Sequence, residues 1–277
     1  MGSKSSDTPV YRQFIGFLRK GFLALETDSR DEVKRFVQSC QHENGAFTNR
    51  TGKPDFYYSL FGVWLAAALG LDETLEKHKA FIEEQKNEKQ RVVDSYSLWL
   101  IRLVISEHEF KKPSVFQLLN MTFLKGNRTN IFYRIFLFLL TFDAFYRSRL
   151  LRVLSRPALL FFSPSPDSPC SIIAATTVAR HVAGLKTEKE SELLLRYFDE
   201  NKGFKVFKEA NDADLLSTAV ALFALQIVGA ELRMVAPACL NQIQQNYSGG
   251  AFLAGNGDGM RDLEYTFYGL LALGILV

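Results

Sequence analysis

An internal repeat constrains the fold of this chain more than any other feature of the sequence. Three segments share one order of signals: a turn with Gly and Phe, an aspartate eight to ten residues after the Phe, a Ser or Thr four residues later, and a helix rich in Ala, Gly and Leu. The turns lie at residues 45–47, 203–204 and 249–252, and the aspartates are Asp55, Asp214 and Asp262. Repeats of this length indicate stacked helical hairpins, in which each unit buries its apolar face against the next.

Two weaker copies lie between the clear ones. One begins at Asp94, and the other, over residues 170–183, keeps the small-residue helix without a clear aspartate. Asp55 and Asp94 are 39 residues apart, and Asp214 and Asp262 are 48 apart. At that spacing, about six units fill the chain.

Two kinds of helix alternate along the repeats. An amphipathic helix is expected before each clear aspartate, over residues 31–41, 191–198 and 235–245. The helix after each aspartate is apolar on nearly every face, and such a helix has to be buried. The alternation predicts an all-α fold with an inner and an outer layer. The aspartates are expected to cap the inner helices, since a carboxylate at a helix start accepts the free backbone N–H groups.

Composition places the chain among ordinary globular proteins, with 47% hydrophobic and 23% charged residues. The net charge of +3, with both signs mixed along the chain, argues against a nucleic-acid partner. Three widely separated cysteines predict neither a disulfide framework nor a cysteine zinc cluster, which favours a cytoplasmic location. We expect a mobile N-terminus over residues 1–10, a single domain over 11–277 and no transmembrane helix. The first residues also match the short pattern for acylation at Gly2, a pattern that often arises by chance.

The last repeat carries a resemblance to a known family. Residues 261–270 read Arg-Asp-Leu-Glu-Tyr-Thr-Phe-Tyr-Gly-Leu, which is similar to the Arg-Asp-Phe-Tyr-His-Thr-Cys-Tyr-Cys-Leu segment of that family. Together with the Gly-Phe turns and the Ala/Leu-rich helices, this segment resembles the repeats of the prenyltransferase β-subunit and squalene cyclase superfamily. The resemblance implies an α/α toroid, a six-hairpin double-layered α-barrel around a deep apolar funnel that holds an isoprenoid.

The metal and acid motifs of that family are incomplete here. Tyr265 stands where protein prenyltransferases have a zinc-binding histidine, and residues 93–99 resemble the segment of the zinc-binding aspartate but lack its cysteine. Zinc is therefore not expected, because a catalytic zinc site needs three protein ligands. The Asp-x-Asp-Asp acid of class II cyclases is incomplete as well, since residues 212–215 read Asp-Ala-Asp-Leu. The catalytic candidates that the resemblance implies are Asp94, Asp262 and Tyr265.

Candidate substrate-binding residues form a basic group and an aromatic group. Lys86, Lys89 and Arg91 precede Asp94, where they would carry the charge of a diphosphate at the funnel mouth. A Mg²⁺ ion would then bridge Asp94 to the phosphate. The alternative for this stretch is a solvated loop of mixed charge. Aromatic residues at the inner-helix starts would pack an isoprenoid chain or belong to the core. They are Tyr57, Tyr58, Tyr96, Trp99, Tyr265 and Tyr268.

The middle segment, residues 116–162, departs most from the repeat because it mixes Phe and Leu with arginines such as Arg134 and Arg156. A basic amphipathic surface of this kind is typical of peripheral membrane contact. Two further hairpins with solvent-facing arginines are the alternative. His42 and His78 stand in polar surroundings and are expected at the surface.

Three classes of function remain open from the sequence. The first is a prenyltransferase-like protein that binds an isoprenoid or a prenyl diphosphate and transfers or rearranges it, with an α-type partner subunit as a further expectation. A catalytically silent toroid for lipid binding or protein interaction fits the incomplete motifs equally well. A carbohydrate-active α/α barrel is the third class, and it requires a pair of carboxylates across its cleft.

Overall fold

The computed structural model describes residues 8–84, 92–106, 110–123, 131–146, 156–157, 159–160 and 164–277. Within these residues the chain forms twelve α-helices and two short strand pairs. The helices are α1 (Val10–Ala24), α2 (Thr27–Ser39), α3 (Phe56–Leu69), α4 (Asp72–Glu84), α5 (Val92–Ile105), α6 (Val115–Phe123), α7 (Ile131–Phe145), α8 (Cys170–Val182), α9 (Glu188–Leu195), α10 (Leu215–Ile227), α11 (Ala236–Gln245) and α12 (Leu263–Leu276). The predicted all-α class is therefore confirmed.

The helices fall into the two kinds that the sequence predicts. Helices α3, α10 and α12 are buried on nearly all faces, whereas α2 buries only Val33 and Val37. Among the buried helices, contacts run in order from α3 to α5, α7, α8, α10 and α12, and α12 packs against α3 again. Helices α2, α4, α6, α9 and α11 each pack against neighbours in this series.

The three clear repeats share one set of local contacts. Each places its turn on a short antiparallel pairing: a bridge between Gln41 and Phe47, β1 (Phe198–Asp199) with β2 (Gly203–Phe204), and β3 (Tyr247–Ser248) with β4 (Ala251–Phe252). The turn phenylalanine is fully buried in all three, and its backbone N–H donates to the hydroxyl of the downstream Ser or Thr. These bonds are Phe47 to Ser59 at 3.2 Å, Phe204 to Thr218 at 3.0 Å and Phe252 to Thr266 at 3.3 Å. The hydroxyl therefore fixes each turn to the buried helix that follows it.

The predicted capping role of the aspartates is confirmed at three positions. The side chains of Asp55, Asp214 and Asp262 stand at the N-caps of α3, α10 and α12 and accept backbone N–H groups there. Asp94 differs, because α5 begins before it and the buried Asp94 lies in the first helical turn.

Helix α1 precedes the first repeat and packs on buried helices. It contacts α3, α7 and α12, and Phe14 reaches the ring of Phe223 on α10 at 4.5 Å. The crossing with α12 is so close that a Cβ on Gly21 would lie 2.1 Å from the carbonyl oxygen of Leu270. A Cβ on Gly274 would lie 1.9 Å from the carbonyl oxygen of Phe17, so both glycines are required for this approach.

The structure differs from three expectations that were based on the sequence. His78 is fully buried, not a surface residue, because its Nδ1 hydrogen-bonds the Gly45 carbonyl at 3.0 Å beneath the first repeat turn. Arg134 is buried in α7, so the expectation of solvent-facing arginines is wrong for it. The expected mobile N-terminus extends to residue 10, yet Val10 is buried and begins α1, while residues 1–7 lie outside the described residues.

None of the described helices combines the length and the apolar character that a bilayer crossing requires. The longest of them, α1 and α7, have 15 residues each. A span of the hydrocarbon core takes about 20 residues.

Candidate functional site

A cavity of about 850 Å³ lies between the buried helices. Its walls come from α1, α3, α6, α7, α8, α10 and α12, and side chains such as Leu60, Leu140 and Val178 make them predominantly apolar. A concave space of this size and character is typical of small-molecule sites.

Both large and small side chains line this cavity. Phe14 packs against Trp64, Phe223 and Phe267 with ring centroids 4.5 to 5.7 Å apart. On α8, the lining residues include Ala174, Ala175 and Ala179. The aromatic rings supply a rigid apolar wall, and the short side chains of α8 leave the space.

A polar cluster stands beside the cavity where α3 and α12 begin. Arg50 forms ion pairs with Asp258 and with the N-cap carboxylate of Asp262, and its guanidinium lies 5.5 Å from the ring centroid of Tyr265. Asp262 is buried, whereas Arg50 and Asp258 are partly exposed. These contacts join the loop after the first turn to the loop before α12.

Glu264 is the acidic residue that connects this cluster to the cavity. It lies in the first turn of α12 and lines the cavity, and its Oε1 accepts a hydrogen bond of 2.6 Å from the hydroxyl of Tyr57. Burial raises the pKa of Glu264 from 4.5 to about 7. The hydrogen bond from Tyr57 opposes this rise, the charge of Asp262 adds to it, and the charge of Arg50 opposes it. Near neutral pH, this carboxyl exists in both protonation states.

The structure separates the six predicted aromatic residues. Tyr57 and Tyr268 line the cavity. Tyr58 and Tyr265 lie half-buried beside the Arg50 cluster, outside the described lining, and burial raises the pKa of each to about 12.

Tyr96 and Trp99 lie on α5, and no described residue of α5 lines the cavity. Tyr96 is fully buried against α6, where its hydroxyl donates to the Leu118 carbonyl at 3.0 Å and contacts Thr122 Oγ1 at 2.5 Å. Trp99 packs edge-on against Tyr96. Contacts of this kind belong to the core, the alternative that the sequence left open.

The predicted diphosphate residues Lys86, Lys89 and Arg91 lie outside the described residues. Of that expected group, only Asp94 has a described position, buried in the first turn of α5. Asp262 and Tyr265, the other catalytic candidates, adjoin the Arg50 cluster but do not line the cavity. Their catalytic roles stay predictions.

Sequence reasoning missed two parts of this site. Glu264 breaks the apolar pattern of the helix after Asp262, and a lone acid in such a helix was the available signal. Helix α1 was also missed, although Val10, Phe14 and Leu18 follow a helical period and are all buried.

Few of the described residues are suited to metal binding or thiol chemistry. No group of three His, Cys, Asp or Glu side chains there is arranged to hold a metal ion. Burial raises the pKa of Cys40 to about 11 and that of Cys239 to about 12, so these thiols stay protonated at neutral pH.

Comparison with family models gives no match for this chain, and comparison with curated proteins gives none either.

Proposed function

We propose that this chain is an α/α toroid that binds an isoprenoid, or a lipid of similar shape, in its central cavity. The observation that carries the proposal is the apolar cavity of about 850 Å³ between the buried helices. The toroid is supported by the order of helix contacts, which runs from α3 to α12 and returns to α3. Helix α1 would then occupy part of the space inside the ring, because it contacts α3, α7 and α12 together.

The size and lining of the cavity support a hydrocarbon ligand. Sites for ligands of drug size have volumes of about 300–1,000 Å³ and are lined mainly by apolar and aromatic groups. Burying the apolar area of an isoprenoid chain against such walls stabilises the complex by about 25 cal/mol per Å² before the costs of association. The acids Asp143 and Glu264 are the charged side chains of the described lining, which lacks Lys, Arg and His.

A prenyl-diphosphate transferase is the second candidate, and Arg134 is the observation that favours it. Arg134 is 7% exposed and lies near the start of α7, which packs against α5, the helix that follows the predicted diphosphate residues. Among the described residues, its Nε and Nη1 have no hydrogen-bond partner. A buried cation with unsatisfied N–H groups favours an anionic ligand nearby. In this candidate, Mg²⁺ would join Asp94 to the diphosphate, and an α-type subunit would complete the enzyme.

The same proposal includes contact with a membrane surface through residues 116–162. A cytoplasmic protein would then take its ligand from the bilayer. Phe116 on α6 is 77% exposed. Leu119, one turn further, is 41% exposed and also lines the cavity, so an apolar surface runs from α6 into the cavity.

A cavity-filling substitution tests the proposal. In Ala175→Trp, the indole would occupy the space beside α8, and we expect the affinity for farnesol and geranylgeraniol to fall at least tenfold, as measured by native mass spectrometry and by ligand-induced thermal shifts. Ala67→Trp is the matched control, since Ala67 is a half-buried alanine of α3 outside the described lining.

Two results would contradict this assignment. One is wild-type protein that binds neither alcohol, and the other is unchanged binding in a folded Ala175→Trp variant. A diphosphate that binds far more tightly than its alcohol, with the difference lost in Arg134→Gln, would favour the transferase candidate instead.

A further inference from the structure

The cavity has a defined polar point at Tyr57 and Glu264. The two residues come from different helices, α3 and α12, and their 2.6 Å hydrogen bond uses Oε1 of the carboxyl. The other carboxyl oxygen, Oε2, has no hydrogen-bond partner among the described residues. Oε2 of Glu264 can therefore form one more hydrogen bond at the cavity wall.

The surroundings of Glu264 decide which kind of group it can receive. From α12 it faces Asp262, from α3 it faces Tyr57, and from the loop after the first turn it faces Arg50. Arg50 already pairs with Asp258 and Asp262. Because burial raises the pKa of Glu264 to about 7, a large part of the population is neutral near pH 7 and presents an O–H donor.

An anionic ligand group would be disfavoured at this point. The ionised fraction of Glu264 would repel an added negative charge in surroundings of low polarity, and the described lining holds no Lys, Arg or His to offset that repulsion. A neutral hydroxyl is suited to this point because it donates and accepts, whereas a hydrocarbon leaves Oε2 of Glu264 without a hydrogen bond.

We propose that Tyr57 and Glu264 form a head-group site that selects a neutral alcohol, such as an isoprenoid alcohol, over both the parent hydrocarbon and the diphosphate. The inference rests on the proposed function, since it assigns the polar end of the ligand in the same cavity.

The test is displacement of Nile red, a neutral dye for apolar sites, by three ligands with the same chain: farnesol, farnesene and farnesyl diphosphate. For the wild-type protein we expect farnesol to bind about tenfold more tightly than farnesene, with the diphosphate weakest. Glu264→Leu should give farnesol and farnesene equal affinities. Farnesene should still bind, and its binding would show that the cavity is intact. Glu264→Gln keeps a donor and an acceptor and should retain most of the preference.

Glu32→Leu is the matched control. Glu32 on α2 accepts a 2.8 Å hydrogen bond from Tyr247, so it forms the same kind of pair outside the cavity lining. Its loss should leave the preference for farnesol unchanged.

The outcomes separate this inference from the proposed function. Equal affinities of wild-type protein for farnesol and farnesene, a preference that survives Glu264→Leu, or a diphosphate that binds most tightly would each overturn the head-group site while the cavity still binds a ligand. Absence of any binding by the three ligands would refute the proposed function itself.

Discussion

The regular repeats and the middle segment of this molecule contribute different things. Three hairpins, α2 with α3, α9 with α10 and α11 with α12, share the same buried phenylalanine and the same bond from its N–H to a hydroxyl. Helices α6 and α7 follow no Gly-Phe turn in the sequence, yet they supply eight of the described lining residues, from Val115 to Asp143. Repeated turn chemistry therefore holds the scaffold, whereas the divergent segment shapes much of the cavity.

The largest difference in the free energy of unfolding is expected when one phenylalanine is removed from each region. Phe252 is 1% exposed under the last repeat turn, so Phe252→Ala should lower the free energy of unfolding by about 4 kcal/mol. Phe116 is 77% exposed, and Phe116→Ala should change it by less than about 0.5 kcal/mol. Urea unfolding followed by circular dichroism measures both. Similar losses in the two variants would contradict the division between scaffold and middle segment.

Removal of a repeat hydroxyl should have a smaller effect on the free energy of unfolding. Thr218 accepts the N–H of Phe204 at 3.0 Å and donates to Gln242 at 2.6 Å, so Thr218→Val leaves two buried groups unsatisfied. We expect a loss of about 2 kcal/mol in the free energy of unfolding. Thr177→Val is the control, because the Thr177 hydroxyl only donates to the Ile173 carbonyl of its own helix. Its cost should stay below about 1 kcal/mol, and equal costs would show that the turn contact has no special role.

A pH-dependent effect concerns the acid that interrupts a regular repeat. Because the folded state raises the pKa of Glu264 from 4.5 to about 7, the folded state holds its proton more tightly, and stability falls as pH rises between these values. Glu264→Gln removes this dependence. Relative to wild type, the free energy of unfolding of the variant should therefore rise by about 3 kcal/mol between pH 4 and pH 8. Parallel profiles across this range would mean that Glu264 ionises normally.

The sequence predicted the regular region well because its signals are local. A glycine turn, a capping aspartate and an apolar helix each depend on neighbours a few residues away, and α3, α10 and α12 follow the caps Asp55, Asp214 and Asp262. The Ser or Thr of each repeat was visible, but its role was not, because its partner N–H lies 12 or 14 residues away.

The candidate site was harder to predict because it depends on contacts between distant parts of the chain. Tyr57 and Glu264 are 207 residues apart, and Arg50 pairs with Asp262 across 212 residues. No local pattern signals such pairs. Tyr96 shows the reverse error, since its place at a helix start suggested the cavity, whereas tertiary packing directs it toward α6.

The proposal that an apolar ligand binds in the cavity can be tested with the two tryptophans of the chain. Trp64 lines the cavity, whereas Trp99 on α5 packs against Tyr96 outside the described lining. Trp99→Phe leaves Trp64 as the reporter, and Trp64→Phe leaves Trp99. On titration with a brominated long-chain alcohol, whose bromine quenches indole at contact distance, we predict strong quenching of Trp64 and little of Trp99. Equal quenching of both, or quenching of Trp99 alone, would contradict the claim.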